Sequence, residues 1–561
     1  MNANLYALLR DHFAEDAEQP CLLIPGGPVI HYDDLDATSA RIANALSAAG
    51  CRPGDRVAVQ TEKCWQSLAL YLACLRAGLV YLPLNTGYQK SELEYFFADA
   101  EPTVIVCQPD AAESTAALRP QSTVLTLDGA AGTLLDCAAD QRDSFEPISS
   151  KPDDLATIVY TSGTTGRSKG AMLSHRNLAS NALTLVEQWG FTRGDVLLHA
   201  LPVYHVHGLF VACHCALLSG SRMLWLPKFD AAEVIGLLPH ATVMMGVPTF
   251  YTRLLADPSF DANVCRSMRL FVSGSAPLLP ETFESFRART GHAILERYGM
   301  TETGMNTANP LAGERIPGSV GLPLPGVSVR IVDGEARACG PETVGAIEVK
   351  GPNVFGGYWR MPEKIREEFT ADGYFKTGDM GEWLPNGYMK IVGRAKDLII
   401  TGGLNVYPAE IEEKINALPG VLESAVIGVP DPDFGEAVTA VVVIRPGDAL
   451  NESELISVLK ADIASFKVPK RVHLVADLPR NASSQRCGSC SVATGCRSRR
   501  SSRESGNSLT LSCCGGSARR VTSHVARHFG TGSRWRSPGM THPFPIAARP
   551  AAGRSWTDAS L

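Results

Sequence analysis

Between residues 158 and 170 the chain reads Ile-Val-Tyr-Thr-Ser-Gly-Thr-Thr-Gly-Arg-Ser-Lys-Gly. An apolar run enters a loop holding three glycines, five serines or threonines and one lysine, Lys169. Glycine lets the backbone approach a ligand closely, so amide N–H groups around Gly163 and Gly166 can point at an anion. The hydroxyls of Thr161, Ser162, Thr164 and Thr165 add donors, and Lys169 adds charge. This is phosphate-binding chemistry. It is not the Walker pattern, because Gly163 is not followed by Gly-Lys-Ser/Thr at the required spacing. A plain surface turn is the competing reading, and the density of hydroxyls counts against it.

A second cluster, Cys487-x2-Cys490 with His524-x3-His528, superficially resembles a zinc site. The stretch between the two pairs is far longer than in a zinc finger, so no metal is expected there.

Positioning a phosphate loop requires a sheet behind it. Thr38 to Ala49 has helical apolar spacing and stops at Gly50. Val57 to Val59 reads as a strand, Lys63 to Ala77 as a helix closed by Gly78, and Leu79 to Leu82 as another strand. That spacing predicts βαβ units and a parallel sheet. Further strands are expected at Thr103 to Cys107, Leu155 to Tyr160 and Asp195 to Ala200, with extra β structure at Gly345 to Val349. After a charged turn at Arg394 to Asp397 comes a smaller α+β segment. In it Pro408 to Leu418 and Glu452 to Ala464 are helical, and Glu423 to Val429 and Ala437 to Ile444 are strands. The fold class is α/β: a large N-terminal domain of parallel-sheet α/β subdomains with a β-rich subdomain, and a small α+β C-terminal domain.

The 561 residues suffice for two or more domains, and the formal net charge is -6. That average hides a split. Residues 483–561 hold 12 Arg, no Lys and two acids, Glu504 and Asp558, whereas residues 1–482 carry 40 Lys and Arg against 56 Asp and Glu. The acidic body is a poor nucleic-acid binder. Ten of the 15 cysteines lie in the body, several within apolar runs, and read as buried free thiols. The first residues lack a signal-peptide pattern, and the apolar stretch Ser67 to Leu84 is interrupted by Arg76, Gly78 and Pro83. A cytoplasmic protein with no membrane span and no nucleic-acid partner is expected; the oligomeric state is left open.

The loop YTSGTTGRSKG resembles the signature of the adenylate-forming (AMP-binding) superfamily, which includes the acyl-CoA synthetases. YHVHGL (204–209), GSAPL (274–278), ERYGMTE (296–302), YFKTGD (374–379) and GRAKDLIITGGLNVYPAEIE (393–412) follow in the family's order. LPLNTGY, GVPTFYTRLL and KGPNVFGGYWRMPEK are similar to the malonyl-CoA synthetases within it. The resemblance covers about residues 1–482 and implies an N-terminal AMP-binding domain (1–393), a hinge (394–397) and a C-terminal lid (398–482).

It also implies two half-reactions, in which a carboxylate attacks the α-phosphate of ATP and the CoA thiol then attacks the acyl-adenylate. Lys169, Thr164, Glu302 and Arg394 would be catalytic, with Glu302 binding Mg²⁺. The nucleotide would meet Thr161, Ser162, Gly163, Thr165, Gly166, Gly299, Met300 and Thr301, with Asp379 and Arg394 on the ribose. Tyr298 and the turn Gly274, Ser275, Ala276, Pro277 would flank adenine. Lys396 sits at the hinge, and Gly402 and Gly403 would line the CoA pantetheine tunnel. Taken singly, each of these charges would more often be an ordinary solvated side chain.

In this superfamily the acyl pocket lies between YHVHGL and ERYGMTE, which here supply His207 and Arg297. An apolar acid would leave a buried arginine unpaired at a cost of several kcal/mol, about what one uncompensated buried ion costs. A small diacid such as malonate would complete it through a bidentate pair. His207 would add a hydrogen bond, and Met305 would bound the pocket. The plain alternative pairs Arg297 with Glu296 or another acid. Alternatives in function are a ligase for another short acid such as methylmalonate, or a non-catalytic nucleotide-binding remnant.

The resemblance breaks near the C-terminus. The family's L-P-R-N-x-M-G-K loop carries a lysine used in adenylation. Here Leu478-Pro479-Arg480-Asn481-Ala482 is followed by Ser483, Ser484 and Gln485, and no Lys follows. Adenylation is therefore expected to be impaired. With 16 Ser, 12 Arg and no periodicity, residues 483–561 read as an unfolded tail translated out of frame from GC-rich DNA.

Overall fold

The computed structural model describes residues 2–15, 18–161, 168–401, 404–431, 435–448 and 450–478, and the short segments 491–492, 509–512 and 519–521. Short apolar runs between glycine and polar turns become the strands of two large sheets. In the first, Thr123–Thr126, Val104–Cys107, Arg56–Gln60, Val80–Pro83 and Leu155–Thr161 are parallel neighbours. Lys169–Ser174 closes this sheet antiparallel to Leu155–Thr161. The second sheet has nine strands. Its middle, from Leu295–Met300 through Leu270–Ser273, Val243–Gly246, Val196–His199 and Arg222–Trp225 to Pro20–Leu23, is parallel.

The expected elements are present with shifted ends. The helices run Tyr32–Ala48 and Trp65–Arg76, and Gly50 turns the chain at φ 93°. Their apolar faces, including Leu35, Ile42, Leu46, Leu68 and Leu72, join one continuous core with both large sheets. Sequence periodicity did not reveal the helix His175–Gln188 or the π-helical turn His207–Cys213.

The β structure expected near residue 350 is a four-stranded antiparallel sheet: Ser328–Val332, Gly345–Lys350, Phe375–Trp383 and Met389–Arg394. A single 3₁₀ turn, Ala395–Asp397, then leads to a separate sheet. There Val421–Asp431 pairs antiparallel with Gly435–Ile444, and Arg471–Val475 lies parallel to the latter. Helices Pro408–Asn416 and Glu452–Asp462 cover it, and Ile399, Val406, Ile411, Val438 and Leu455 form a core of its own. Beyond residue 482, Ser491–Val492, Leu509–Ser512 and Arg519–Val521 pair antiparallel in a small separate sheet, contrary to the expectation for those residues. The rest of the tail, with Gln485, lies outside the described residues.

Candidate active site

Parallel strands bind ligands at their carboxyl ends, where loops diverge. Three such ends meet here: Thr161 ends its strand at the phosphate loop, Ser273 leads into the turn 274–277, and Leu295–Met300 turns back as Gly304–Ala308.

At the first end, Glu302 is 6% exposed, and burial pushes its carboxyl above the ordinary range. The Tyr358 hydroxyl donates to Glu302 Oε1 at 3.0 Å, and Thr161 Oγ1 donates to the same oxygen at 3.4 Å. Lys169 is buried, and its Nζ donates to Glu368 Oε1 at 2.6 Å while lying 4.7 Å from the centroid of the Tyr358 ring. Ser162, Gly163, Thr164, Thr165 and Gly166 lie outside the described residues, as do Gly402 and Gly403.

In the four-stranded sheet, strand register places Asp379 opposite Arg394. Arg394 Nε stands 3.2 Å from Asp379 Oδ1, and the Tyr298 hydroxyl donates to Asp379 Oδ2 at 2.6 Å. Burial raises the Asp379 carboxyl, while Arg394 and Tyr298 oppose the rise. Ser275 holds the turn 274–277 in a left-handed conformation, φ 69°. Gly299, Met300 and Thr301 run through the hairpin bend, partly exposed. Lys396 is exposed on the 3₁₀ turn.

At the third end, Arg297 is 3% exposed, and its Nε and Nη2 have no hydrogen-bond partner among the described residues. Burial lowers its pKa to about 10. Glu296 does not pair with it: strand alternation turns that carboxylate away, where Oε1 accepts from the Leu278 backbone N–H at 2.9 Å. The guanidinium instead lies against Gly274, where an added Cβ would stand 2.4 Å from Cζ. His207 is buried; burial, then the Arg297 charge, holds it well below the ordinary histidine range, so it is neutral. His207 Nδ1 lies 3.3 Å from Ser275 Oγ, and its buried Nε2 has no hydrogen-bond partner among the described residues. Met305 is buried and fixed through its backbone, accepting from Asn181 Nδ2 at 2.9 Å and donating to Asn181 Oδ1 at 3.1 Å.

The described part of the site thus juxtaposes a phosphate-side cation and carboxylates, a carboxylate–arginine pair, and a buried arginine facing a neutral histidine. Tyr358, Glu368 and Asn181 belong to it although no motif assigned them a role. Tyr358 and Glu368 stand in or just after KGPNVFGGYWRMPEK, and that run was the one available signal.

The AMP-binding enzyme family matches residues 9–359, and its C-terminal domain matches residues 410–485. A malonate–CoA ligase of Mus musculus is 38% identical over 474 residues, covering 77% of this chain and 81% of that protein. A feruloyl-CoA synthase of an Amycolatopsis species is 37% identical over 469 residues, covering 82% of this chain and 92% of its own length. The crystal structure of ATP-bound MatB from Rhodopseudomonas palustris superposes with a TM-score of 0.85 at 55% identity, covering 87% of this chain and 97% of that one. Against that crystal structure, most of the unmatched length lies on this chain's side. With both of its domain models matched in order, this chain belongs to the AMP-binding enzyme family of adenylate-forming, ATP-dependent CoA ligases.

Proposed function

We propose that the chain activates malonate, through malonyl-adenylate, to malonyl-CoA. The observation that carries this is the buried Arg297, with Nε and Nη2 unpartnered among the described residues. A second carboxylate on the substrate would satisfy that fork, whereas an aromatic or fatty acid would leave it buried and unpaired. Among the relatives, this favours the malonate ligases over the feruloyl-CoA synthase. Neutral His207 would donate one further hydrogen bond to the diacid. Buried Met305, pinned by Asn181, would crowd a substituent on the central carbon, so malonate is favoured over methylmalonate. Arg297→Met is expected to lower kcat/KM for malonate by about 10²-fold or more, relative to acetate. Equal losses for the two acids would remove Arg297 from the acyl site.

Asp379 and Arg394 would hold the ribose, Tyr298 and the turn 274–277 would flank adenine, and Lys169 with the hydroxyl loop would take the phosphates. Glu302 suits Mg²⁺, which is commonly held by one or two carboxylates together with substrate phosphates. When bound, the ion would neutralise phosphate charge. Lys396 is proposed as the hinge, and Gly402 and Gly403 as the CoA side of the lid. All ten described cysteines are free, which suits a reducing compartment such as the cytoplasm. Among the described residues no helix is long and apolar enough to cross a membrane.

Gln485 stands where the family's adenylating lysine belongs, and a neutral amide supplies no positive charge. Losing one such transition-state contact costs on the order of 10²–10³ in rate. We infer that this chain adenylates slowly, and that CoA attack on supplied malonyl-adenylate survives. Placing Met-Gly-Lys and an in-frame helix after Ala482 should raise malonate-dependent pyrophosphate release by that factor. Ordinary release rates from the parent chain would contradict the inference. Sequencing the gene tests whether residues 483–561 are read out of frame; an in-frame homologous tail in related genes would refute it.

A further inference from the structure

We propose that Glu368 is a displaceable counter-ion of Lys169, a positioning residue that sets how tightly the triphosphate is held. Glu368 ends the helix Pro362–Glu368, and Lys169 opens the strand that leaves the phosphate loop. Their 2.6 Å contact is charge-assisted and poorly hydrated, with side chains 7% and 23% exposed. Tyr358 separates this pair from Glu302: its ring lies under the Lys169 ammonium and its hydroxyl donates to Glu302. One ammonium thus stands among two carboxylates. An incoming phosphate and the Glu368 carboxylate are both anions competing for that ammonium, and within a few ångströms they repel. Lys169 must therefore exchange Glu368 for phosphate as ATP enters, and Glu368 recaptures it when pyrophosphate leaves. AMP has no β- or γ-phosphate and requires no exchange. Without Glu368, an empty site would hold a buried unpaired ammonium, which explains why a carboxylate stands there at all.

The inference rests on the chain's use of ATP and is independent of the acid substrate. The test is calorimetric titration of the full chain and Glu368→Gln with α,β-methylene-ATP, AMP and pyrophosphate. Gln keeps the shape and removes the charge. The Kd values for the ATP analogue and pyrophosphate should fall about three- to fivefold, the upper part of the scale of one partly exposed ion pair, with AMP unchanged. In a Lys169→Met background the same substitution should have a clearly smaller effect, because competition for that lysine is lost and only the direct repulsion between carboxylate and phosphate remains. Should Gln prevent folding, Glu368→Asp, which lengthens the pair, should shift the analogue in the same direction by less. Unchanged or weaker analogue binding, an equal shift for AMP, or an effect undiminished in Lys169→Met would each overturn the proposal. A wrong acid assignment would surface in the malonate assays and leave these titrations unaltered.

Discussion

Glu296 and Arg297 are adjacent, oppositely charged and buried, yet they do not neutralise each other. Burial pushes the Glu296 carboxyl from 4.5 up to about 8, with only the Leu278 N–H and the nearby Arg297 charge opposing it. Its folded-state value lies above its unfolded one, so folding takes up a proton between them. The stability it contributes is complete below about 4.5 and is lost as pH rises toward 8. Glu296→Gln cannot titrate. Its stability relative to the parent should climb across that window, by about 4–5 kcal/mol at the upper end. Urea midpoints measured at several pH values check this, and a pH-independent difference would place Glu296 in a solvated setting. The same protonation leaves Arg297 without a full charge beside it, which keeps the guanidinium available to a substrate anion. None of this was legible in the letters Glu-Arg, which equally suit a simple ion pair. Strand alternation separates the two side chains, and that became visible only once Leu295–Met300 was placed between its neighbours.

At the scale of elements, the turn 274–277, proposed to flank adenine, also backs the buried Arg297 guanidinium. Gly274 permits it because the Arg297 guanidinium occupies the space a side chain would need. Gly274→Ala should therefore displace Arg297 and lower malonate kcat/KM by on the order of 10², the cost of about 1 Å of misplacement. AMP affinity should change much less, and steady-state kinetics beside AMP titration separate the two effects. Elements with strong local signals were legible: Leu155–Thr161 from its apolar run and Glu452–Asp462 from its periodicity. What periodicity missed depends on distant partners. The helix His175–Gln188 packs beneath the hairpin through Asn181, 124 residues before Met305. Likewise the Lys169–Glu368 pair spans 199 residues, so no local pattern reports it.

At the scale of the molecule, exposed ion pairs are among the links that join the C-terminal unit to the body in the described residues. Arg445 meets Glu281 at 2.9 Å, with side chains 46% and 54% exposed, and Lys390 meets Glu413 at 3.4 Å. Exposed pairs of this kind are worth about 0–1 kcal/mol, enough to bias orientation and too little to lock it. Glu281→Arg should thus change the ratio of pyrophosphate release to CoA transfer by no more than about fivefold, and adding Arg445→Glu should restore it. Rapid-quench measurement of both half-reactions checks this. A loss far beyond that size would mean the pair does more than orient the unit. The two-part layout was legible from the charged run at 394–397, whereas the contacts that bias it are tertiary and were not. One consequence follows from the register that sets Asp379 against Arg394. Arg394 is the last residue of its strand, and the 3₁₀ turn starts at the next position. Rotation about that turn, as the proposed hinge, would carry everything after it and leave the Asp379–Arg394 pair behind. A mixed anhydride gripped there would stay tethered while its surroundings are exchanged. Little of it should leak into solution between the two chemical steps, even when CoA is scarce.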